Sequence, residues 1–149
     1  MPHSYIISIF HVVFSPKLRT HLIPGDRQPN LWNYLAGIAR NHGMHVLAVG
    51  GTANHVHLLV VLPAETALAD AVRTLKANSS RWMRETSPSF AWQQGYGAFS
   101  VSPSQLERVK RYIANQPAHH RTRSFEQEFL AMLQAANINA KPNADCAAP

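Results

Sequence analysis

Apolar and polar positions follow two rhythms along this chain, one of period two and one of helical spacing. Tyr5 to Phe14 (YIISIFHVVF) is apolar and rich in β-branched and aromatic residues, the pattern of a strand buried on both faces. Ser15-Pro16-Lys17 ends it. Beyond a loop with Pro24, Gly25 and Pro29, the residues Leu31, Leu35, Ile38 and His42 recur at helical spacing. Asn33, Arg40 and Asn41 lie opposite them, and Gly43 supplies the stop. Met44 to Val49 and His55 to Leu62 read as two strands of a hairpin, joined by a tight turn over Gly50 to Asn54. After Pro63, the positions Leu68, Val72, Leu75, Ser79 and Trp82 predict a second helix reaching about Glu85. Ser87-Pro88-Ser89 breaks it, and Phe90 to Val101 predicts a further strand interrupted at Gly95 and Gly97.

Ser102 with Gln105 has the spacing of a capping box, and Pro103 suits the first helical position. A third helix is predicted from Pro103 to about Asn115, ended by Pro117. Ser124 with Gln127 repeats the capping pattern and opens a fourth helix with Phe125, Phe129, Met132 and Leu133 on one face. Residues 1–136 read as one domain, and 137–149, which lose all periodicity, as a disordered tail. Strand, helix, strand, strand, helix, strand and then two helices predict an α+β fold. The expected architecture is a ferredoxin-like (RRM-like) antiparallel sheet, with the first two helices on one face and a C-terminal helix that bears a tyrosine.

Composition narrows the chemistry. With 149 residues the chain is long enough for a real core without covalent staples. Its single cysteine, Cys146, excludes an internal disulfide framework and a multi-cysteine zinc site, and a cytoplasmic setting is expected. No apolar run approaches the roughly 18 residues of a membrane span, so no membrane partner is expected. Lys and Arg number 14 against 8 Asp and Glu, a net charge of +6 that suits a polyanionic partner. The acids are scattered and fall mostly on expected helix surfaces, which counts against a clustered-carboxylate enzyme. No Walker loop is present, so no nucleotide cofactor is expected.

In His55-Val56-His57 the period of two sends both imidazoles to one face of the strand and Val56, Leu58 and Val60 to the other. Two such histidines are either a metal-ligand pair or polar residues at a strand start. The apolar continuation LLVVL favours ligands, because buried imidazoles need partners. On the third helix, Tyr112 and Gln116 share a face at i, i+4. Taken alone, Tyr112 is a half-buried helix residue with its hydroxyl in water, and Gln116 a solvated helix end. His119 and His120 are extra ligands, DNA-phosphate contacts or, foremost, surface residues. Arg73, Lys76, Arg81 and Arg84 form a basic face on the second helix, either solvated or phosphate-binding. Trp92 and Phe99 read as core; Tyr96 is free to stack on an unpaired base.

Three segments together, FHVVFSPK from Phe10, GTANHVHLLV from Gly51, and GYGAFSVS followed by VKRYIANQPAHH from Gly95 to His120, resemble the single-tyrosine HUH transposases of insertion sequences, including those associated with repetitive extragenic palindromes. The resemblance spans about Tyr5 to Leu133. It implies that Tyr112 is the nucleophile and that His55, His57 and Gln116 hold Mg²⁺ or Mn²⁺. It also implies cleavage and rejoining of single-stranded DNA next to hairpins through a 5′-phosphotyrosine, by a homodimer in which active sites are shared or self-contained. Arg73, Lys76, Arg81, Arg84, Arg108 and Lys110 are then the expected DNA contacts. Gly95, Gly97 and the turn at Pro117 are candidate hinges. Two other readings stand beside it: a catalytically inactive, domesticated hairpin-binding protein, and a zinc hydrolase built on the His pair. The lack of an evident nearby carboxylate base or third His or Cys ligand counts against the hydrolase.

Overall fold

The computed structural model describes residues 4–17 and 22–138. Its elements in chain order are β1 (Ile9–Phe14), α1 (Gln28–Asn41), β2 (His45–Thr52), β3 (His55–Val61), α2 (Leu68–Met83) and β4 (Gly97–Ser100). A 3₁₀ turn (Pro103–Gln105) then leads into α3 (Leu106–Ala114), α4 (Gln116–His119) and α5 (Phe125–Ala135). The four strands form one sheet in the order β2-β3-β1-β4. Every pairing is antiparallel. This is the α+β, ferredoxin-like architecture that the element order predicts.

The period of two divides the sheet into two faces. Val12, Phe14, Val56, Leu58 and Val60 point to one side, where Leu31, Leu35 and Ile38 of α1 and Ala71, Val72 and Leu75 of α2 close the main core. Leu59 points to the other side and packs with Val101 and Ile113 under α3. His11, His55 and His57 share this second face, each less than 7% exposed. Register brings them together: Val13 pairs with His57 and His11 with Leu59, so His11 and His57 are diagonal neighbours on adjacent strands.

Two glycines govern how closely helices lie on this face. A Cβ at Gly50 on β2 would stand 2.7 Å from the carbonyl oxygen of Ile113, so only glycine lets α3 cross the sheet at this height. A Cβ at Gly97 would stand 2.6 Å from the Phe129 ring of α5.

Several element boundaries depart from the pattern-based expectation. The first strand begins at Ile9, and Tyr5, Ile6 and Ile7 are exposed. Those three lie outside the sheet pairing, which for β1 starts at Ile9 opposite Val61. The second strand runs through Gly50 and Gly51 to Thr52, so the turn is shorter than expected. The expected strand from Phe90 shrinks to Gly97–Ser100 with one isolated bridge, Pro16 to Trp92, because Gly95 adopts φ +84° and turns the chain. Ser102 does not cap: its Oγ lies 3.0 Å from Ser104 Oγ, and the chain enters α3 through a 3₁₀ turn. The capping box at Ser124 and Gln127 forms, with both reciprocal hydrogen bonds. Asn137 and Ile138 close α5, the Ile138 N–H donating to Leu133 O. The rest of the expected tail, 139–149, lies outside the described residues.

Candidate active site

Pro117 shapes the site. It has no N–H to donate to Ile113 and its ring would clash with that carbonyl, so α3 stops at Ala114. One turn later Pro117 suits the start of a new helix, α4. Asn115 bridges the break at φ −94°, ψ 12°. Tyr112 and Gln116 therefore sit on two successive helices, and both still face the sheet.

Gln116 is fully buried, contrary to the solvated helix end that position alone suggests. Its Oε1 lies 2.8 Å from His55 Nε2, and its Nε2 donates to Glu128 Oε2 at 2.8 Å. Glu128, on the inner face of α5, is 1% exposed and gathers the rest. Its Oε1 stands 3.2 Å from His57 Nε2, 3.7 Å from His55 Nε2 and 3.1 Å from His120 Nε2. Its Oε2 accepts from the Tyr112 hydroxyl. The Tyr112 ring stands edge-on to His57, with centroids 5.8 Å apart. Phe125 stacks on His55 at 4.3 Å and closes the far wall.

Both ligand-type histidines have a partner on their other nitrogen. His57 Nδ1 lies 2.7 Å from His11 Nε2, and His55 Nδ1 lies 2.8 Å from Asn54 Oδ1. Such contacts fix ring orientation and tautomer. Burial lowers the pKa of His11 and of His55 to about 3, and burial also lowers His57 despite the neighbouring carboxylate. All three rings are therefore neutral near pH 7. Burial works to raise the Glu128 carboxyl, but hydrogen bonds from His57, Tyr112 and Gln116 hold it well below the usual carboxylate range. Burial and the adjoining carboxylate raise the Tyr112 hydroxyl above its ordinary value, so it is protonated at rest.

The donor set fits a cation. A neutral His55 has a single N–H for two oxygen partners at 2.8 Å, Gln116 Oε1 and Asn54 Oδ1. A cation at Nε2 removes that shortfall and leaves the Nδ1–H for Asn54. His55, His57 and Glu128 offer ligand atoms all within 4.8 Å of one another, a set able to hold a metal ion. Nitrogen and oxygen donors without sulfur leave its identity open among divalent ions.

The four expected site residues thus meet. Of their companions, Glu128 and His11 carry no signal in the sequence pattern, while His120 stands among the candidate ligands. Glu128 is one of the scattered acids, yet it follows Phe125 by three positions and so shares its inward face. This carboxylate also removes the objection that no acid lies near the His pair. His120, expected at the surface, is tied to Gln116 and Glu128, each at 3.1 Å. His11 lay inside an apolar run that hid its role.

The expected DNA contacts are spread over the surface. Arg73 and Arg84 are exposed and, with Lys76, Trp92 and Tyr96, line a groove of about 590 Å³ between α2 and the loop before β4. Lys76 is half-buried: its ammonium donates to the carbonyls of Gln93 (2.8 Å) and Gly95, and burial lowers its pKa to about 8. Arg73 pairs with Asp70, and Arg81, exposed, donates to Asn78. Lys110 lies 3.3 Å from Glu107, and Arg108 is exposed. Trp92 is core, edge-on to Phe14 at 4.7 Å, whereas Tyr96 is 41% exposed. Among the described residues no helix is long and apolar enough to cross a membrane.

Comparison with known proteins gives the same direction. Residues 5–116 match the family described as "Transposase IS200 like". The ISDra2 transposase TnpA of Deinococcus radiodurans is 27% identical over 115 residues, covering 72% of this chain and 82% of the relative. The transposase for insertion sequence element IS200 of Salmonella typhimurium is 23% identical over 115 residues, covering 72% and 75%. The solved structure of a REP-associated tyrosine transposase bound to a REP hairpin shares the fold, with TM-score 0.62 and 12% identity over 100% of this chain and 96% of that one. With its matched span covering most of the sequence, the chain belongs to the IS200-like transposase family.

Proposed function

We propose that this transposase cuts and rejoins single-stranded DNA beside hairpins through a covalent bond to Tyr112, at a site that holds Mg²⁺ or Mn²⁺ on His55, His57 and Gln116. The observation that carries the reading is the convergence of the Tyr112 hydroxyl and the His pair on one buried carboxylate. A phenol held on that carboxylate, beside two neutral imidazole donors, suits nucleophilic attack on a phosphate. When bound, the cation supplies charge to polarise a non-bridging phosphate oxygen and offset the negative charge that develops there.

The residues supply the rest. Tyr112 donates its O–H to Glu128 Oε2, which aims the oxygen's lone pairs away from the carboxylate. Attack forms a Tyr112 oxygen–phosphorus bond and breaks the phosphorus–O3′ bond; the phenol proton leaves through Glu128 Oε2 and the departing O3′ takes up a proton, so the products are a 5′-phosphotyrosine and a 3′-OH. A 3′-OH from another DNA end reverses the step. The phosphodiester energy stays in the covalent link, in keeping with the absence of a Walker loop. Arg73, Lys76, Arg81, Arg84, Arg108 and Lys110 supply positive charge for the backbone, and Tyr96 an exposed ring for an unpaired base. The relative solved with a REP hairpin supports hairpin DNA as the partner class. Intact His55, His57, Tyr112 and Gln116 favour activity over a binding-only role.

End-labelled single-stranded hairpin DNA incubated with the protein and Mg²⁺ tests this. Cleavage is expected for the natural protein and none for Tyr112→Phe. In His57→Ala cleavage is expected to vanish while DNA binding persists. Unchanged cleavage by Tyr112→Phe would remove the nucleophile assignment.

A further inference from the structure

We infer that Glu128 joins the metal to the nucleophile: its Oε1 is a further ligand of the cation and its Oε2 holds the Tyr112 hydroxyl, so that one carboxylate on α5 sets the position of both. This rests on the metal reading proposed above. It concerns an element outside the family match, which ends at residue 116.

The two oxygens have separate duties in the structure. Oε1 faces the nitrogens of His57 at 3.2 Å and His55 at 3.7 Å, spacings suited to neighbouring ligands that share one ion with bonds of about 2.1 Å. Oε2 takes the Tyr112 O–H and the Gln116 amide. Gln116 in turn offers Oε1 to the same centre, 2.8 Å from His55 Nε2. The two histidines and the amide are all neutral. Glu128 is the one anion in this buried group, and a dication held without it would lack any compensating charge in a medium of low dielectric.

Its placement is built in. The reciprocal capping box of Ser124 and Gln127 fixes the first turn of α5, one turn from Glu128. Phe125 stacks on His55, and Phe129 fits against the bare backbone of Gly97. Aromatic contacts on both sides thus hold the carboxylate over the His pair. Glu128 acts on the reaction as a positioning residue.

Mn²⁺ titrated into the full chain and followed by electron paramagnetic resonance reads the ligand role directly. The natural protein is expected to bind one ion. Glu128→Gln, nearly isosteric, is expected to weaken binding at least about tenfold, and Glu128→Asp, with the charge kept on a shorter stem, to fall between. Thermal melting checks that each variant folds. The second role is read with 3-fluorotyrosine and ¹⁹F NMR, the Tyr112 signal being assigned from its loss in Tyr112→Phe. Mg²⁺ is expected to shift that signal in the natural protein and to leave it in place in Glu128→Gln.

Mn²⁺ affinity in both Glu128 variants equal to that of the natural protein, with loss in His57→Ala, would overturn the inference and leave the metal reading intact. A Tyr112 signal that still shifts in Glu128→Gln would overturn the positioning half. No Mn²⁺ site in the natural protein would overturn both this inference and the metal reading.

Discussion

At the scale of single residues, the His pair was legible because a strand's period of two leaves little freedom. Once β3 is recognised, His55 and His57 must share a face, and both are fully buried there. Glu128 was hidden for the opposite reason. An acid on an amphipathic helix usually faces water, and its inward spacing from Phe125 gains meaning only when a buried polar cluster waits beneath it. His11 was hidden by apolar neighbours, since nothing local distinguishes a histidine that faces a site from one that faces a core. These burials give a prediction for acid stability. His11 and His55 titrate near 3 in the folded protein, against about 6.5 in an unfolded chain. The unfolded state therefore binds more protons below pH 6.5, and stability falls with falling pH, by at most about 1.4 kcal/mol per pH unit for each ring. Glu128, held below its ordinary value, acts in the same direction below about 4.5. The melting temperature of the metal-free protein is expected to drop steadily from pH 7 to pH 4. A flat profile over that range would contradict neutral buried rings.

Element boundaries were less legible than element identities. The helix carrying Tyr112 was readable, but its break before Gln116 was not, because Pro117 both ends one helix and starts the next. The same ambiguity explains the unequal capping boxes. Ser102-Pro103 takes a 3₁₀ turn, whereas Ser124 makes both reciprocal bonds. Spacing specifies that two side chains can meet, and the backbone that follows decides whether they do. The close crossing of α3 over β2 also left no periodic signal, since it depends on the bare backbone of Gly50. Gly50→Ala is expected to push Ile113 and its helix outward, costing about 1–3 kcal/mol in chemical denaturation. A displacement of about 1 Å at Tyr112 is expected to lower cleavage by about 10²-fold. Unchanged stability and cleavage would show that α3 is not seated as tightly as the 2.7 Å approach requires.

For the whole molecule, the sheet order β2-β3-β1-β4 leaves one face for the hydrophobic core and the other for chemistry. The alternation of strands and helices was enough to predict this architecture, because two amphipathic helices cover only one face of a four-stranded sheet. Of the basic face expected on α2, Arg73, Lys76 and Arg84 line one groove, where Lys76 also holds the loop before β4 and Arg73 pairs with Asp70. A cation without an ion-pair partner contributes most to counterion release, and Arg84, exposed and donating to the Phe90 carbonyl, has none among the described residues. Arg84→Ala is therefore expected to reduce the slope of log affinity against log salt for single-stranded DNA by about 0.7, the contribution of one phosphate contact. An unchanged slope would place the DNA elsewhere. The most direct measurement of the central claim is mass mapping of the covalent adduct formed with single-stranded hairpin DNA and Mg²⁺, after proteolysis. The four tyrosines are Tyr5, Tyr34, Tyr96 and Tyr112, and the nucleotide is expected on Tyr112 alone. Attachment to another residue, or cleavage without any adduct, would contradict the account.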